Sequence, residues 1–314
     1  MSSKSLTDND IKQRSLSDKI KAEAKRLGFF ACGIAKAEAV DTDTADTYRQ
    51  WIGSGMHADM SYLANNINKR LDPTLLMPGA RSIICVALAY APKTVIPENE
   101  YQIAKYAYGH DYHEVVKDKL RQLAALLPTE TKICCDTVPI LERYWAEKAG
   151  IGWIGRNHQL IIPHAGSMFF LGEIITDANL TYDPPAKNHC GDCHECMKAC
   201  PTGALASDRR HIDARRCLSY LTIENRDEIS DEFKKDMGNC IYGCDRCLDA
   251  CPWNKKAAVT TEPLLQANEK LLLMTREKWN NLTIDEYRDL FRGSAIKRAK
   301  YEGLTRNIKA IQHP

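Results

Sequence analysis

The sequence predicts a layered α/β domain in residues 1–185, a small α+β cysteine-rich module in residues 186–257 and a short helical tail in residues 258–314. Three observations lead to this order. Apolar residues alternate between helical and strand-like spacing through the first half of the chain. Eight of the thirteen cysteines then fall in two runs between residues 190 and 251, and the last segment is basic with a helical pattern.

Composition excludes some classes of protein. The chain has 314 residues, of which 44% are hydrophobic, so it has enough apolar material for a substantial core. Its 43 Lys and Arg residues nearly balance 41 Asp and Glu residues, which leaves no strong overall field to steer a polyanion. No apolar run approaches membrane-spanning length, and residues 1–10 show no secretory pattern. We therefore expect a cytoplasmic protein without a membrane partner, and we expect a monomer.

Helices and strands are predicted in alternation, as a packed α/β sheet requires. In chain order they are a helix over 17–27, a strand over 29–34, a buried strand over 82–89, a helix over 112–127, a strand over 132–135 and a helix over 139–148. Ser17 is the predicted N-cap of the first helix. Residues 159–162 and 168–175 are predicted to pair as a hairpin, and residues 181–185 form the predicted linker to the cysteine-rich module.

The first cysteine run has the spacing of bacterial ferredoxins. It reads C-x2-C-x2-C-x3-C-P from Cys190 to Pro201, and a second run from Cys240 to Pro252 repeats its end with one extra residue. In such pairs the last cysteine of each run binds the cluster held mainly by the other run. One [4Fe-4S] site is therefore predicted from Cys190, Cys193, Cys196 and Cys251. The second takes Cys200, Cys244 and Cys247, with either Cys240 or Cys217 as its fourth ligand, and the spacing does not separate these two.

Zinc is the alternative occupant, because paired C-x2-C elements also form tetrahedral zinc sites. The triple C-x2-C-x2-C and the trailing Cys-Pro favour iron-sulfur clusters instead. Disulfides are disfavoured in a cytosolic chain of this size. Two clusters close together form a short electron-transfer path, which indicates an electron acceptor in the first domain. No G-x-G-x-x-G motif opens a βαβ unit, so a nicotinamide cofactor is disfavoured, and spacing alone does not identify the acceptor.

Several longer segments resemble the epoxyqueuosine reductase family. They are DTVPILER at 136–143, AGIGWIGRN at 149–157, FLGEI at 170–174, RCLSYLTIE at 216–224, IYGCDRC at 241–247 and CPWN at 251–254. The resemblance implies an α/β domain that binds cobalamin, followed by a ferredoxin-like module with two [4Fe-4S] clusters. It implies the last step of queuosine biosynthesis, in which the epoxide of epoxyqueuosine at the wobble position of tRNA is reduced to queuosine. Electrons would come from an external low-potential donor through the clusters to cobalamin.

The resemblance also implies roles for single residues. Cys217 becomes the eighth cluster ligand, and Cys240 becomes a spectator. Asp136, which opens the DTVPILER segment, becomes the proton donor. Because Asp136 follows the apolar residues 133–135, we expect desolvation to raise the pKa of its carboxyl group. The alternative role for Asp136 is an N-cap of the helix that begins near Pro139.

Contacts to cobalamin or to the modified nucleotide are predicted, besides Asp136, at His57, Asn157, Ser167, Tyr220 and Thr222. Asp111, His113 and Glu173 lie in stretches that also resemble the family, and they are further candidates for contact with cobalamin or the modified nucleotide. Each of these side chains has an ordinary alternative as a polar group satisfied within the protein.

Basic residues at 209–210, at 215–216 and between Arg292 and Lys309 are candidates for contacts with tRNA phosphates. The alternative for such a charge run is a solvated helix face. Two other functions remain open at this point. One is a reductive dehalogenase, which combines the same cofactors but whose usual twin-arginine signal is missing here, and the other is a non-enzymatic iron-sulfur electron carrier.

Overall fold

The computed structural model describes residues 8–206 and 211–312. A four-stranded antiparallel sheet in the order β1-β2-β7-β4 lies at its centre, and two pairs of short strands, β3 with β8 and β5 with β6, lie outside it. The strands are β1 (Ala31–Lys36), β2 (Ser82–Ala89), β3 (Gln102–Ile103), β4 (Thr131–Cys134), β5 (Trp153–Ile154), β6 (Leu160–Ile161), β7 (Phe169–Thr176) and β8 (Cys240–Tyr242).

In chain order the helices are α1 (Asp8–Arg26), α2 (Thr42–Gly53), α3 (Ser61–Ala64), α4 (Ile67–Leu71), α5 (Tyr112–Ala124), α6 (Glu142–Lys148), α7 (Glu195–Lys198), α8 (Leu218–Ile223), α9 (Asp231–Met237), α10 (Arg246–Asp249), α11 (Glu269–Leu272), α12 (Arg276–Asn280), α13 (Ile284–Leu290) and α14 (Lys300–Gln312). The longest helices among the described residues are α1, α2, α5 and α14, and the others have seven residues or fewer. Among the described residues, no helix combines the length and apolar character needed to cross a bilayer.

The central sheet is covered on both faces. Every residue of β2 is buried, as its almost continuous apolar sequence predicts. Helices α1 and α5 pack on one face and α2 and α6 on the other, which gives the predicted layered α/β domain. The close approach of α6 depends on Gly33 of β1, because a Cβ atom there would lie 2.0 Å from the backbone oxygen of Ala149.

Two local predictions are wrong. Helix α1 begins at least nine residues before Ser17, which is buried inside the helix and donates a hydrogen bond to the Gln13 carbonyl rather than capping the helix. The predicted hairpin of residues 159–162 with 168–175 does not form beyond a single bridge between Ile162 and Gly166. Strand β6 pairs with β5 instead, and β7 lies between β2 and β4. An apolar strand is more stable in the middle of a buried sheet than at the edge of a hairpin.

The cysteine-rich module is built around two short helices, α7 and α10, which contact each other and contain Cys196 and Cys247 respectively. The segment after it does not form a separate core. Helices α11 to α14 bury their apolar side chains against residues of β3 and β8 in one shared cluster. The domain division at 185 and 257 stays a prediction, and hydrophobic packing crosses both of these boundaries.

Helix α14 is tied to the cysteine-rich module by a buried amide. The Asn307 side chain is fully buried and donates two hydrogen bonds of 2.8 Å, to the carbonyls of Thr222 and Ile241. Arg306 beside it donates to the Leu221 carbonyl at 2.9 Å and to the Asn307 side-chain oxygen at 2.8 Å. These bonds hold α8, which follows Cys217, and β8, which begins with Cys240, against the C-terminal helix.

The first testable prediction concerns this amide. Asn307→Ala leaves two buried carbonyl groups without a donor, so we expect the free energy of unfolding to fall by about 2–4 kcal/mol. Anaerobic urea unfolding of the cluster-loaded protein measures the change. Lys309→Ala, an exposed position on the same helix, is the control and should change stability by less than about 0.5 kcal/mol. Equal stability of the two variants would contradict the proposed tie.

A second prediction concerns Glu173 of β7, which is fully buried. Neither carboxyl oxygen has a hydrogen-bond partner among the described residues, and burial, followed by the charges of Glu142 and Asp136, raises the pKa of Glu173 well above its usual value. Folded Glu173 therefore keeps a proton that the unfolded chain releases as the pH rises above about 4.5, and stability falls over that range.

Glu173→Gln removes this dependence while keeping the size of the side chain. We expect the variant to gain stability relative to the original chain as the pH increases from about 5.5 to about 8. Urea midpoints at the two pH values measure the difference. Glu232→Gln, at an exposed glutamate of α9, is the control and should show a constant difference. A constant stability difference between Glu173→Gln and the original chain over this pH range would show that the buried group is ionised in the folded protein.

Candidate active site and cluster sites

The structure brings the cysteines of the two runs together in two groups. Burial, followed by the charges of Cys251, Cys190 and Cys193, raises the pKa of Cys196. Burial likewise raises the pKa of Cys251, and the charges of Cys190 and Cys193 add to this effect. The Trp153 indole donates a hydrogen bond of 3.4 Å to the Cys190 sulfur. The last cysteine of the second run thus lies with the first three of the first run, as the crossed ferredoxin pattern predicts.

The second group contains Cys217. Burial raises the pKa of Cys217, and the charges of Cys244 and Cys200 add to this effect. Burial also raises the pKa of Cys247, and the charges of Cys244, Cys217 and Cys200 add to this effect. The Cys240 thiol hydrogen-bonds to Cys244, so Cys240 also adjoins this group. All thirteen cysteines are free thiols, so each group can present thiolates to a metal cluster.

Two predicted cofactor contacts support the backbone around the second group. The fully buried Thr222 hydroxyl donates to the Leu218 carbonyl at 2.7 Å and accepts from the Gly243 amide at 2.8 Å. The Asn157 amide donates to the Cys247 carbonyl at 3.4 Å. Both side chains therefore satisfy backbone groups next to cysteines.

Asp136 lies two residues beyond the end of β4, in a turn that its backbone enters with a left-handed φ of +58°. Its amide donates a hydrogen bond of 2.5 Å to Oε1 of Glu142. The N-cap position of α6 is Leu141, so Asp136 is not the cap of that helix. Because its side chain is 55% exposed, the Asp136 carboxylate is open to a substrate.

The protonation of Asp136 differs from the expectation. Oδ2 of Asp136 lies 3.0 Å from Nε2 of His113, whose Nδ1 lies 2.7 Å from Oδ1 of Asp111. The hydrogen bond from His113 lowers the pKa of Asp136, so the expectation that desolvation raises it is wrong. The hydrogen bonds to Asp111 and Asp136 raise the pKa of His113 to about 9. At neutral pH the proton therefore resides on the imidazole between two carboxylates.

Further charged and aromatic groups surround Asp136. The Arg298 guanidinium lies 5.7 Å from the centre of the Tyr62 ring and pairs with Glu224 at 2.7 Å. The negative charge of Asp136 contributes to raised pKa values of both Tyr62 and Arg298. The positive charge of Arg143 helps to lower the pKa of Asp136. The sequence pattern did not indicate Tyr62, because the residues that meet here come from α3, the turn after β4 and the segment before α14.

The remaining predicted cofactor contacts are His57, Ser167 and Tyr220, and they differ in whether they already have a hydrogen-bond partner. Nδ1 of His57 is buried and has no hydrogen-bond partner among the described residues, so its hydrogen-bonding capacity is unused. Ser167 donates to the side chain of Asn254, and Tyr220 donates to Asp59.

Many of the candidate basic residues are engaged within the protein. Arg306 donates to backbone carbonyls of residues 221, 225 and 227, and Arg298 pairs with Glu224. Arg215 pairs with Asp213, and Arg216 donates to the Thr202 carbonyl. Residues 209–210 lie outside the described residues. On the C-terminal segment, exposed positions remain at Arg292, Lys297, Lys300 and Lys309.

Two family models match two separate segments of the chain. Residues 70–137 match the epoxyqueuosine reductase QueG family model, and residues 189–254 match the 4Fe-4S double cluster binding domain. The second match decides between iron-sulfur clusters and zinc, because it covers both cysteine groups.

Whole-chain comparisons agree. The epoxyqueuosine reductase of Cellulophaga algicola is 43% identical over 301 residues, covering 94% of this chain and 98% of that protein. The epoxyqueuosine reductase of Leadbetterella byssophila is 41% identical, covering 95% of this chain and 99% of that protein. A crystal structure of epoxyqueuosine reductase with an epoxyqueuosine-modified tyrosine-tRNA stem loop superposes with a TM-score of 0.87 at 29% identity, over 95% of this chain and 80% of that one.

A catabolic reductive dehalogenase superposes with a TM-score of only 0.50 at 16% identity, over 95% of this chain and 38% of that one. That likeness extends to the fold alone. Identity above 40% along nearly the full length of two relatives, together with the two matching family models, shows that this chain belongs to the epoxyqueuosine reductase family.

Proposed function

We propose that this protein reduces the epoxide of epoxyqueuosine in tRNA to give queuosine, the last step of queuosine biosynthesis. The observation that carries the proposal is the exposed Asp136 carboxylate, hydrogen-bonded to a protonated histidine in a chain of this family. Removal of the epoxide oxygen requires a proton source beside the substrate. A solved relative from Bacillus subtilis, 28% identical, has its catalytic aspartate loop swung out of the active site, and this supports assignment of Asp136 as the catalytic aspartate.

The cluster ligands follow from the two cysteine groups. Cys190, Cys193, Cys196 and Cys251 hold one [4Fe-4S] cluster, and Cys200, Cys217, Cys244 and Cys247 hold the other. The grouping of the thiols supports this assignment, including Cys217 as the eighth ligand. Cys240 is then a neighbour of Cys244 and not a ligand.

Cobalamin is the proposed electron acceptor, with His57 and Asp136 as the contacts that the structure supports best. The test of fit is the buried Nδ1 of His57, which lacks a partner among the described residues and suits the amide groups that surround a corrin ring. Ser167 and Tyr220 are weaker candidates for cobalamin contact, because their hydroxyl groups already have hydrogen-bond partners. Asn157 and Thr222 act through the backbone groups to which they hydrogen-bond. When bound, cobalamin supplies a reduced cobalt that can transfer electrons to the substrate.

The chain's own residues bind the substrate and deliver protons. Tyr62 is 45% exposed, and the Arg298 guanidinium lies 5.7 Å from the centre of its ring, so an aromatic ring and a cation are available together for contact with the tRNA. The exposed lysines of the C-terminal segment can dock tRNA phosphates without reading sequence. An external low-potential donor reduces the clusters, and the reaction takes place in the cytoplasm on a monomeric enzyme. The thirteen free thiols are consistent with that reducing compartment.

The ligand assignment predicts opposite results for two neighbouring cysteines. Cys217→Ser removes a ligand, so about half of the iron and sulfide should be lost after anaerobic reconstitution. Cys240→Ser should keep the full iron content, because that thiol only adjoins the second group. Iron and sulfide analysis with EPR of the reduced proteins measures both. A reversed outcome, with Cys240→Ser losing iron, would make Cys240 the eighth ligand.

The function itself is tested by anaerobic turnover of epoxyqueuosine-containing tRNA, with and without cobalamin, with nucleosides identified by mass spectrometry. We expect cobalamin-dependent loss of one oxygen from the nucleoside. Asp136→Asn should lower kcat by about 10²–10⁴-fold, the range for removal of a general acid, while clusters and cobalamin are retained. The exposed Asp285→Asn on α13 is the control. Full activity of Asp136→Asn would remove Asp136 from the mechanism.

A further inference from the structure

Reduction of an epoxide to an alkene requires two protons as well as two electrons. Both C–O bonds break, a C=C bond forms, and the oxygen leaves as water. Asp136 cannot meet this demand alone, because the lowered pKa of its carboxyl group leaves it ionised at neutral pH. The following inference rests on the proposed function and asks where the protons come from.

His113 lies directly behind Asp136 and is held from both sides. Its Nε2 faces Oδ2 of Asp136 at 3.0 Å, and its Nδ1 faces Oδ1 of Asp111 at 2.7 Å. Oδ1 of Asp111 also accepts the backbone amide of His113 at 3.1 Å, as the N-cap of α5. The Asp111 amide is itself fixed by a 2.6 Å bond to the Gly293 carbonyl. The imidazole therefore has one orientation, with one nitrogen directed at each carboxylate.

Aromatic stacking fixes the plane of the ring as well. The His113 ring stacks on Tyr112 with a centroid distance of 4.1 Å, and Tyr112 stacks on Phe170 of β7 at 4.1 Å with an interplanar angle of 2°. Tyr112 and Phe170 belong to the core on the α1–α5 face of the central sheet. The position of the imidazole is thereby coupled to the packed core of the central sheet.

The two side chains differ in their access to solvent. Asp136 is 55% exposed, and the His113 side chain is 23% exposed, which suits a group that exchanges protons with water but does not meet the substrate. The charged and titratable groups that face this pair come from several elements. They are Asp111, Tyr112 and Lys117 beside α5, Glu142 and Arg143 of α6, Glu173 of β7, Tyr62 of α3 and Arg298 before α14.

We propose that His113 is the proton-relay residue of this enzyme: its Nε2 proton passes to Oδ2 of the Asp136 carboxylate, and the Asp136 carboxyl group then gives that proton to the departing oxygen. Asp111 retains the proton on Nδ1, so the imidazole becomes neutral in a single tautomer. Water then reprotonates Nε2, and a second passage completes the water molecule. The two electrons come from the external reductant of the proposed function. Asp136 is the catalytic residue, and His113 acts through it.

A purely structural role for His113 is the competing explanation, because the ring also anchors the turn that carries Asp136. Glutamine separates the two roles. The side-chain amide of Gln can donate a hydrogen bond to Asp136, but it cannot carry a transferable proton at any accessible pH. A structural role would therefore survive in His113→Gln, and a relay would not.

The experiment measures kcat and KM for epoxyqueuosine-containing tRNA between about pH 6 and 10, using the cluster- and cobalamin-loaded full chain. For the original chain we expect kcat to fall as the pH rises through about 9, where His113 loses its proton. For His113→Gln we expect kcat to fall by about 100-fold, with KM within about twofold and without that limb of the profile. Asp111→Asn should shift the limb to lower pH, because one carboxylate no longer stabilises the imidazolium.

His110→Gln is the matched control, since His110 lies three residues away and lines a cavity that neither His113 nor Asp136 lines; it should keep the original profile. His113→Gln with unchanged kcat and pH profile, beside an active original chain, would overturn the relay and leave the proposed function standing. An original chain that forms no queuosine at any pH would overturn the proposed function, and the relay with it.

Discussion

The crossed grouping of cysteines is the constraint on which the second half of the molecule depends. Cys251 of the second run joins the first three cysteines of the first run, and Cys200 joins the second group. Because each group takes members from both runs, α7 and α10 must pack together. Hydrogen bonds around the second group add to this packing, since Thr222 and Asn307 fix the backbone of α8 and β8, which follow Cys217 and precede Cys244 in the chain. Cluster binding and folding of this half are therefore linked.

The carboxyl groups around Asp136 show how local surroundings set protonation states in a protein with little net charge. Carboxyl groups with different surroundings lie close together near the turn after β4. Asp136 is ionised because His113 donates to it, whereas burial keeps Glu173 protonated. Proximity of groups with displaced pKa values is typical of catalytic sites. The pKa displacement arises mainly from hydrogen bonding in Asp136 and from desolvation in Glu173, so two carboxyl groups take different protonation states at one pH.

The basic C-terminal segment illustrates two uses of positive charge. Arg298 and Arg306 satisfy carboxylate and carbonyl oxygens within the protein and join the last helix to the rest of the chain. The exposed lysines on the same segment remain available to phosphates. A guanidinium group suits the first use because its five donors can bridge several acceptors at once, whereas an ammonium group acts mainly as a point charge. Composition counts these residues together, and the structure separates them.

The sequence by itself determined the cysteine spacing, the buried strand β2 and the alternation of helix and strand, because each depends on residues close together in the chain. Motif resemblance pointed to Asp136 and Cys217. Only the tertiary structure decided that β7 lies between β2 and β4, that Cys217 lies with the second cysteine group, and that Asp136 is ionised. These outcomes depend on contacts between segments that are distant in the chain, such as the contact of His113 on α5 with Asp136 in the turn after β4. The local sequence pattern carries no information about such contacts.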